Sequence, residues 1–453
     1  MRYFIYPKGG HGRTLAEMIK FLESSVEIAF IDDYYAEISL KTQKEEILRS
    51  GDKVLLALEQ KNPYSRVIMQ KLIANLKEAK ISNYAKAVLW YSSKIVESAR
   101  EKVLQKGWSR ENTLAVGVYN HAGEKHLGFV DEELKRQGFN VLYLCSNDVS
   151  YKSYSKKDSS NSLAIPLVIE HFDLVDFVWG IYMTTPLNYK NPSVKYFYQP
   201  HGIADFLENI LRFGGVEETM EIIRHADYVV APTKLEVEIL KKALQEYHLE
   251  SKVQIIKGGY PAFEIVKEQL LESKNEVLRD SLLVAVSDEE DLLAIKDGIA
   301  LLLEKGIKVI FRPRPYWNKT AVDNFQNDFL GYSNFSLDNA DKIQASSYQK
   351  SFAVLTTASS VGYTFPLTTF CPAILYFKDR TKLDSNFFGY AYFNPILHKR
   401  ASTPLELLEA TQDLACVQKN QTIMEYKNAQ VFHLGSASLE IAKSIKAIHK
   451  EIC

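Results

Sequence analysis

Between residues 352 and 365 the chain reads FAVLTTASSVGYTF. An apolar run, Phe352 to Leu355, stops at four short hydroxyl-bearing residues, Thr356, Thr357, Ser359 and Ser360, and helix-like sequence follows. Hydroxyls beside the free N–H groups of a helix N-terminus do one of two things. They cap the helix locally, or, with the positive end of the helix dipole, they hold an anion such as a phosphate. A second segment, VIFRPRP, ends an apolar run with Arg312 and Arg314 among prolines that keep the backbone extended. Two guanidiniums there would neutralise the charge of a leaving diphosphate. The plainer reading is a pair of surface arginines, one of them ion-paired.

A third segment, YFYQPHGIAD, sets His201 and Gly202 directly after a strand-like run. Imidazole titrates near neutrality and suits the removal of a proton from an acceptor hydroxyl, while the glycine lets substrate approach the backbone. A turn histidine packed on its neighbours is the alternative. The other histidines, among them His121, His126 and His171, read as structural or exposed. KGGYP, residues 257–261, puts Gly258 and Gly259 either along a nucleotide pocket or in a turn between domains. At the front, YPKGGHGRTLAEM places Gly9, Gly10, His11 and Gly12 between a strand and a helix, and the next strand ends at Asp32. Such a turn brings backbone N–H groups to a phosphate, and an acid at that strand end accepts ribose hydroxyls. The spacing is not G-x-G-x-x-G, and a tight turn that merely needs glycine fits as well. On the ligand reading the turn faces a small pocket closed by Asp32.

The elements that must carry these groups follow from periodicity. RYFIYP, VEIAFIDD, DKVLLALEQ and KAVLWYSS read as four strands, with helical stripes between them. A second unit opens with NTLAVGVYN and NVLYLCS and continues through DLVDFVWGIY, VKYFYQPHG, ADYVVAPT and KVQIIKGGYP. The polar, Ser- and Lys-rich stretch 150–162 reads as a mobile loop. A third unit holds SLLVAVS, IKVIFRPRP, FAVLTT and PAILYF as strands, and the chain closes on a helix expected to cross back toward the middle unit. Strands alternating with helices give parallel, doubly wound sheets, so the fold class is α/β with three units, at 1–110, 111–262 and 263–453. Each unit can bury its own core, so removal of residues 1–105 is expected to leave the other two folded.

Composition narrows the function classes. Lys+Arg number 55 and Asp+Glu 56, a net charge of -1, which argues against nucleic acid as a partner. The four cysteines, Cys145, Cys371, Cys416 and Cys453, lie far apart and fit a reducing cytosol better than a disulfide framework or a zinc site. The start MRYFIYPKGGHGR lacks the pattern of a secretory signal, and no apolar run approaches a membrane span. The expectation is a cytoplasmic protein, at most peripheral on the inner face of the membrane, with a homo-oligomer left open.

Two resemblances extend this reading. GGHG followed by a helix and then IAFIDD resembles the N-terminal domain of bacterial sugar O-acyltransferases of the PglD type, a small Rossmann-like domain that binds a nucleotide-linked sugar. The hexapeptide-repeat β-helix of that family is absent, so the resemblance implies a nucleotide-sugar or sensor role and not acetyl transfer. The tandem units behind it have the pattern of GT-B glycosyltransferases. Over roughly residues 113–445 the order of motifs resembles the CDP-glycerol glycerophosphotransferase family of teichoic acid and capsule synthesis. The counterparts of that family's motifs are His201-Gly202, Arg312-Pro313-Arg314-Pro315, Thr357-Ala358-Ser359-Ser360 and Cys371-Pro372-Ala373-Ile374-Leu375-Tyr376. Arg314 stands where the family has a histidine, and Thr357 where it has an acid.

The resemblance implies a transferase that moves a sugar or polyol-phosphate from a CMP- or CDP-linked donor to a glycan or lipid-linked acceptor. It needs no tightly bound cofactor or metal. His201 would be the base, Arg312 and Arg314 would meet the leaving group, and Gly202, Gly258, Gly259, Thr356, Thr357, Ser359 and Ser360 would hold the donor, with His201 facing the phosphates across the cleft. Two other classes stay open: a non-hydrolysing sugar-nucleotide epimerase, which needs carboxylates that only SDEED (287–291) visibly offers, and a non-catalytic nucleotide-sugar-binding scaffold.

Overall fold

A computed structural model describes residues 2–452 except 60, 62, 120–123, 214, 267–277, 315–316, 340–344, 385, 388 and 416–419. The chain divides into two compact units, Met1–Gln199 with His225–Tyr228 and Ile445–Cys453, and Pro200–Arg224 with Val229–Ser444.

The first unit holds two parallel sheets. In the front sheet the strands Glu27–Phe30, Arg2–Tyr6, Lys53–Leu56 and Tyr84–Lys86 lie side by side in that order. Tyr6 is in register with Leu56, and Leu56 with Lys86. The second sheet carries Ser162–Pro166, Asn140–Cys145, Thr113–Val118, Gly180–Met183 and Lys195–Tyr198, again all parallel. These strands are buried almost throughout, which is why they read as unbroken apolar runs.

Two sequence expectations are corrected here. KAVLWYSS is not a strand beyond Lys86; Val88–Gln105 is a helix that buries Val88, Tyr91, Ser92, Ile95, Val96, Ala99 and Val103. That spacing of three and four is helical, and a short window of β-branched and aromatic residues hides it. The polar stretch 150–162 is ordered. Asn147 caps a helix over Asp148–Tyr154 by accepting the Ser150 N–H at 2.8 Å, a 3-10 turn follows at Ser155–Lys157, and a strand starts at Ser162.

The front sheet is tied to the second by its helices. Gly10–Leu22 and Val88–Gln105 pack on each other and on the strand Ser162–Pro166. Polar groups then lock the seam. Lys61 Nζ donates to Asp173 at 2.8 Å and to the Glu170 carbonyl at 2.6 Å. His171, fully buried, sits between the Ser92 hydroxyl at 2.7 Å and the Glu59 carboxylate at 2.6 Å. His449, in the last turn of the C-terminal helix Ala437–Ile452, packs edge-on against Phe139 and Trp179 and reaches the Glu111 carbonyl at 2.8 Å.

The second unit contains the third parallel sheet, in the order Phe335–Leu337, Lys308–Phe311, Ser281–Val284, Ser351–Thr356, Ala373–Tyr376, His398–Ala401. The first and last of these strands carry no apolar run and were not evident in the sequence. Helices Glu289–Glu304 and Pro404–Ala415 cover one face, with Leu292, Ile295, Ile299 and Leu407 in a core shared with Phe311, Leu355 and Ile374.

The seam in the first unit yields a prediction that differs from the expectation drawn from sequence. Removing residues 1–105 uncovers His171 and the apolar edge beside it, so the truncated chain will melt at a lower temperature or fail to stay soluble. In the full chain, Ser92→Ala strands a buried imidazole nitrogen and should cost about 1–3 kcal/mol in urea denaturation. An unchanged transition in both would show that the seam contributes nothing to stability.

Candidate functional site

In the third sheet all strands run the same way, so their C-terminal ends share one edge, where open α/β sheets hold ligands. The central strand Ser281–Val284 lies between Lys308–Phe311 and Ser351–Thr356. The segments that follow these three strands, Arg312–Arg314, Ser287–Asp291 and Thr357–Ser360, therefore meet.

The four hydroxyls do different work. Thr356, fully buried, donates to the Ala285 carbonyl at 2.7 Å. Thr357 donates to Asp291 at 2.5 Å and accepts the Ser287 N–H at 2.9 Å. Both hydroxyls are thus engaged in joining two strand ends. Asp291 belongs to a capping box with Asp288 at the start of Glu289–Glu304, so the SDEED run is a helix start. Ser359 Oγ instead accepts from Arg314 Nη2 at 3.2 Å. Ser360 is the N-cap of Val361–Thr369, yet its side chain makes no cap bond, and the first turn of that helix has no acidic residue. Its positive end is compensated from elsewhere in the chain: the Ser360 N–H donates to the Glu208 carboxyl.

Glu208 comes from the helix Asp205–Phe213, which follows the His201-Gly202 turn. That turn is close-fitting. A Cβ added to Gly202 would stand 2.8 Å from Asp205 Oδ1 and 3.0 Å from the Ser360 Cβ, so only glycine lets the two segments approach. The Asp205 carboxyl accepts the backbone N–H groups of His201 and Gly202, the former at 3.2 Å, and interacts electrostatically with the His201 imidazole. Tyr260 donates its hydroxyl to the His201 carbonyl at 2.7 Å. The backbone of His201 is therefore held from both sides. His201, Gly202, Arg314, Ser359 and Ser360 all lie in the second compact unit, so the histidine turn and the Ser-Ser turn are not divided between units.

Burial shapes the electrostatics. It pushes the Glu208 carboxyl up to about 8, with Asp205 adding to the rise and Arg314 opposing it. Asp205 is raised for the same reason, against the pull of His201. Glu236, 2% exposed in the first turn of Lys234–Glu246, is held well above the carboxylate range by burial and by Asp205, and it accepts the Phe206 N–H. Glu208 is thus a neutral acid at neutral pH. It satisfies the helix N-terminus without placing a full negative charge where a phosphate would bind. Behind the turn, Tyr392 donates to the Ser359 carbonyl at 2.5 Å and Tyr363 to the Tyr392 carbonyl at 2.7 Å. His398 accepts the Asn394 N–H at Nδ1, 2.9 Å, and bonds the Gly362 carbonyl through Nε2, 3.0 Å. Burial pulls its imidazole down to about 3, so it stays neutral.

The remaining residues singled out in the sequence sit as follows. Arg312 is paired at 2.7 Å with the buried Asp338, which also accepts from Ser347 at 2.6 Å. Pro315 and His121 lie outside the described residues. Gly258 packs on Val230 and Ile441, and Gly259, with φ +84°, on the Phe432 carbonyl; both N–H groups point to the Ala231 carbonyl. At the front, Gly9 is the N-cap of Gly10–Leu22, and a Cβ on Gly12 would meet the Pro7 carbonyl at 2.1 Å. His11 pairs with Glu170 at 3.2 Å, a contact that raises its pKa, and Asp32 accepts the N–H of Tyr34 at 3.1 Å. Sequence reasoning missed Asp205, Glu208, Glu236 and Tyr260. The one available signal was the i, i+3 pair of acids on the first turn after His201-Gly202.

No protein-family model matches the chain, and no curated protein matches its sequence. Solved structures do. The wall teichoic acid polymerase TagF, as a His-to-Asn variant soaked with CDPG, aligns with a TM-score of 0.52 at 16% identity, over 84% of this chain and 98% of that one. The UDP-GlcNAc 2-epimerase of Methanocaldococcus jannaschii, in complex with UDP-GlcNAc and UDP, aligns with a TM-score of 0.53 at 14% identity, over 74% of this chain and 99% of that one. At these identities the likeness concerns the fold, and the chain has the α/β architecture of Rossmann-like GT-B proteins.

Glu208 gives a pH prediction with a fixed sign. The folded state keeps a proton that the unfolded chain releases near the ordinary carboxylate range, so stability is complete at low pH and is lost as pH rises toward about 8. Each unit inside that window costs up to about 1.4 kcal/mol. Glu208→Gln copies the neutral acid, so urea denaturation at a series of pH values should show that loss reduced in the variant. Parallel pH profiles for the two proteins would mean that Glu208 is ionised in the native state.

Proposed function

We propose that this chain is a GT-B transferase of bacterial surface-polysaccharide synthesis, moving a sugar or polyol-phosphate from a CMP- or CDP-linked donor to a glycan or lipid-linked acceptor. The observation that carries the reading is the Ser359–Ser360 turn at a helix start, with the Arg314 guanidinium on the Ser359 hydroxyl and the His201-Gly202 turn beside it. The similarity to TagF supports the fold in which such a site operates. In this reading residues 1–110 form an accessory nucleotide-sugar-binding domain, with Gly9, Gly10, His11, Gly12 and Asp32 at its ligand. Residues 111–262 serve the acceptor and 263–453 the donor, on the cytoplasmic side of the membrane.

The reaction asks three things of the chain. His201 takes the proton from the acceptor hydroxyl as its oxygen attacks the donor's carbon or phosphorus. The bond from that centre to the nucleotide's phosphate oxygen breaks. The negative charge gathering on the departing phosphate is met by the Ser359 and Ser360 hydroxyls, the helix N-terminus and Arg314. Arg312, spent on Asp338, acts by fixing the strand end from which Arg314 projects. Neutral Glu208 adds no repulsion to an incoming phosphate. Residues of the chain perform each step, and no cofactor enters.

A second reading rests on a different observation. Asp205, which interacts with His201, and Glu208, one helical turn further on, both have raised pKa values. A neutral acid close to a base suits proton removal and return at one carbon, as an epimerase requires, and the M. jannaschii epimerase has a similar fold. Inversion at C2 of a UDP-sugar by the purified chain would favour this alternative.

The transferase reading predicts that two variants fail differently. His201→Ala should lose on the order of 10² to 10⁴ in turnover with nucleotide affinity nearly intact. Ser359→Ala with Ser360→Ala should weaken donor binding by roughly 1–3 kcal/mol. Steady-state kinetics beside calorimetric nucleotide titration separates the two. Normal turnover by a folded His201→Ala protein would place the base elsewhere.

A further inference from the structure

The third sheet has a second end. Its strands are parallel, so the segments that lead into Ala373–Tyr376 and His398–Ala401 lie side by side at the edge opposite the Ser359–Ser360 turn. There the second unit forms a cavity of about 250 Å³. Pro372 precedes one of the two strands, Pro395 and Ile396 precede the other, and Leu414 comes from the last turn of Pro404–Ala415. The prolines carry no N–H, so this part of the wall presents carbon without leaving a donor unmet.

The wall is fixed by bonds of its own. Asn394 accepts the Ile396 N–H on its side chain at 3.0 Å, and its carbonyl accepts the Leu397 and His398 N–H groups at 3.0 and 2.8 Å. His398 also lines the cavity; both its ring nitrogens are engaged, so it offers a flat ring and no hydrogen bond. Asn420 caps the helix Gln421–Gln430 with its side-chain oxygen, which accepts the Thr422 N–H at 2.9 Å and leaves the amide NH₂ as a donor. Apolar walls with a few placed polar groups are the usual make-up of a small-molecule site.

Two charges of opposite sign complete the lining, Lys399 and Asp413. Among the described residues neither has an ion-pair partner, and they do not pair with each other. Their surroundings are different. Arg400, next to Lys399 on the strand, is paired with Asp384 at 2.7 Å, and Lys296 in the same unit with Asp328 at 2.7 Å.

We propose that this cavity binds a small zwitterion with an apolar body, by chemical class an apolar α-amino acid. Its ammonium meets Asp413, its carboxylate meets Lys399 and the Asn420 amide, and its side chain lies on Pro372, Pro395, Ile396 and Leu414. A ligand with one charge would leave the opposite wall charge unmatched. The site is at the far end of the sheet from the Ser359–Ser360 turn, and the inference does not rest on the transferase reading.

The test reads binding alone. The intact chain is titrated with L-valine, L-leucine, L-isoleucine, L-methionine and L-phenylalanine by calorimetry and saturation-transfer NMR. The tightest binder is then compared with its analogues lacking the ammonium or the carboxylate, each of which should bind about tenfold more weakly or worse. Lys399→Ala and Asp413→Asn should each weaken the amino acid by a similar factor, with melting curves confirming that the variants fold. No binding by any of the five at millimolar concentration would overturn the inference. So would equal affinity for a singly charged analogue, or an affinity that neither variant changes.

Discussion

One constraint organises the candidate site: the N-terminus of the helix Val361–Thr369 must be satisfied inside the second unit. Free N–H groups at a helix start cannot be left unmet away from water. The Ser360 side chain does not cap them, and the chain meets one of them with the Glu208 carboxyl, drawn from a helix some 150 residues earlier. This choice ties the Ser-Ser turn to the His201-Gly202 turn, since His201 lies in the turn that leads into the helix Asp205–Phe213 and Glu208 lies on the first turn of that helix. It leaves Gly202 no room for a side chain, and Glu208 is held neutral by burial and by Asp205, against the pull of the Ser360 N–H.

The surroundings serve that junction. On one side Thr356 and Thr357 fasten the turn to the neighbouring strand end, so the hydroxyls that look most like a phosphate cluster in the sequence are partly structural. On the other side Tyr392 and the neutral His398 hold the carbonyls of Ser359 and Gly362. Arg314 is directed at the Ser359 hydroxyl, while Arg312 is paired with Asp338. The turn is thus held from both sides, with the uncharged Glu208 against its helix start.

The sequence made the parallel sheets legible because strands buried on both faces, such as SFAVLT and NVLYLC, are unbroken apolar runs. It misled where a local window disagreed with the longer period, as at Val88–Gln105, and where composition hid a single cap, as at Asn147. Ser359, Ser360, Arg314 and His201 could be singled out as candidates because each follows a strand, and strand ends are where such folds hold ligands. Glu208, Asp205 and Tyr260 could not, because their roles come from burial and from tertiary proximity to the turns they serve. The front glycines show the opposite case: Gly12 is explained by its approach to the Pro7 carbonyl, a packing need that any strand-turn-helix can impose.

The claim that the Ser359–Ser360 helix start binds the phosphate of a cytidine-linked donor can be tested without knowing the acceptor. Thermal melting of the intact chain is recorded with CMP, CDP, UDP and GDP, and repeated with the Ser359→Ala, Ser360→Ala protein. The account predicts that the cytidine nucleotides alone raise the melting temperature, by the equivalent of about 2.7 kcal/mol at a hundredfold excess over Kd, and that the double variant loses most of the shift. A response to uridine nucleotides only, or a cytidine response untouched by the two substitutions, would contradict it.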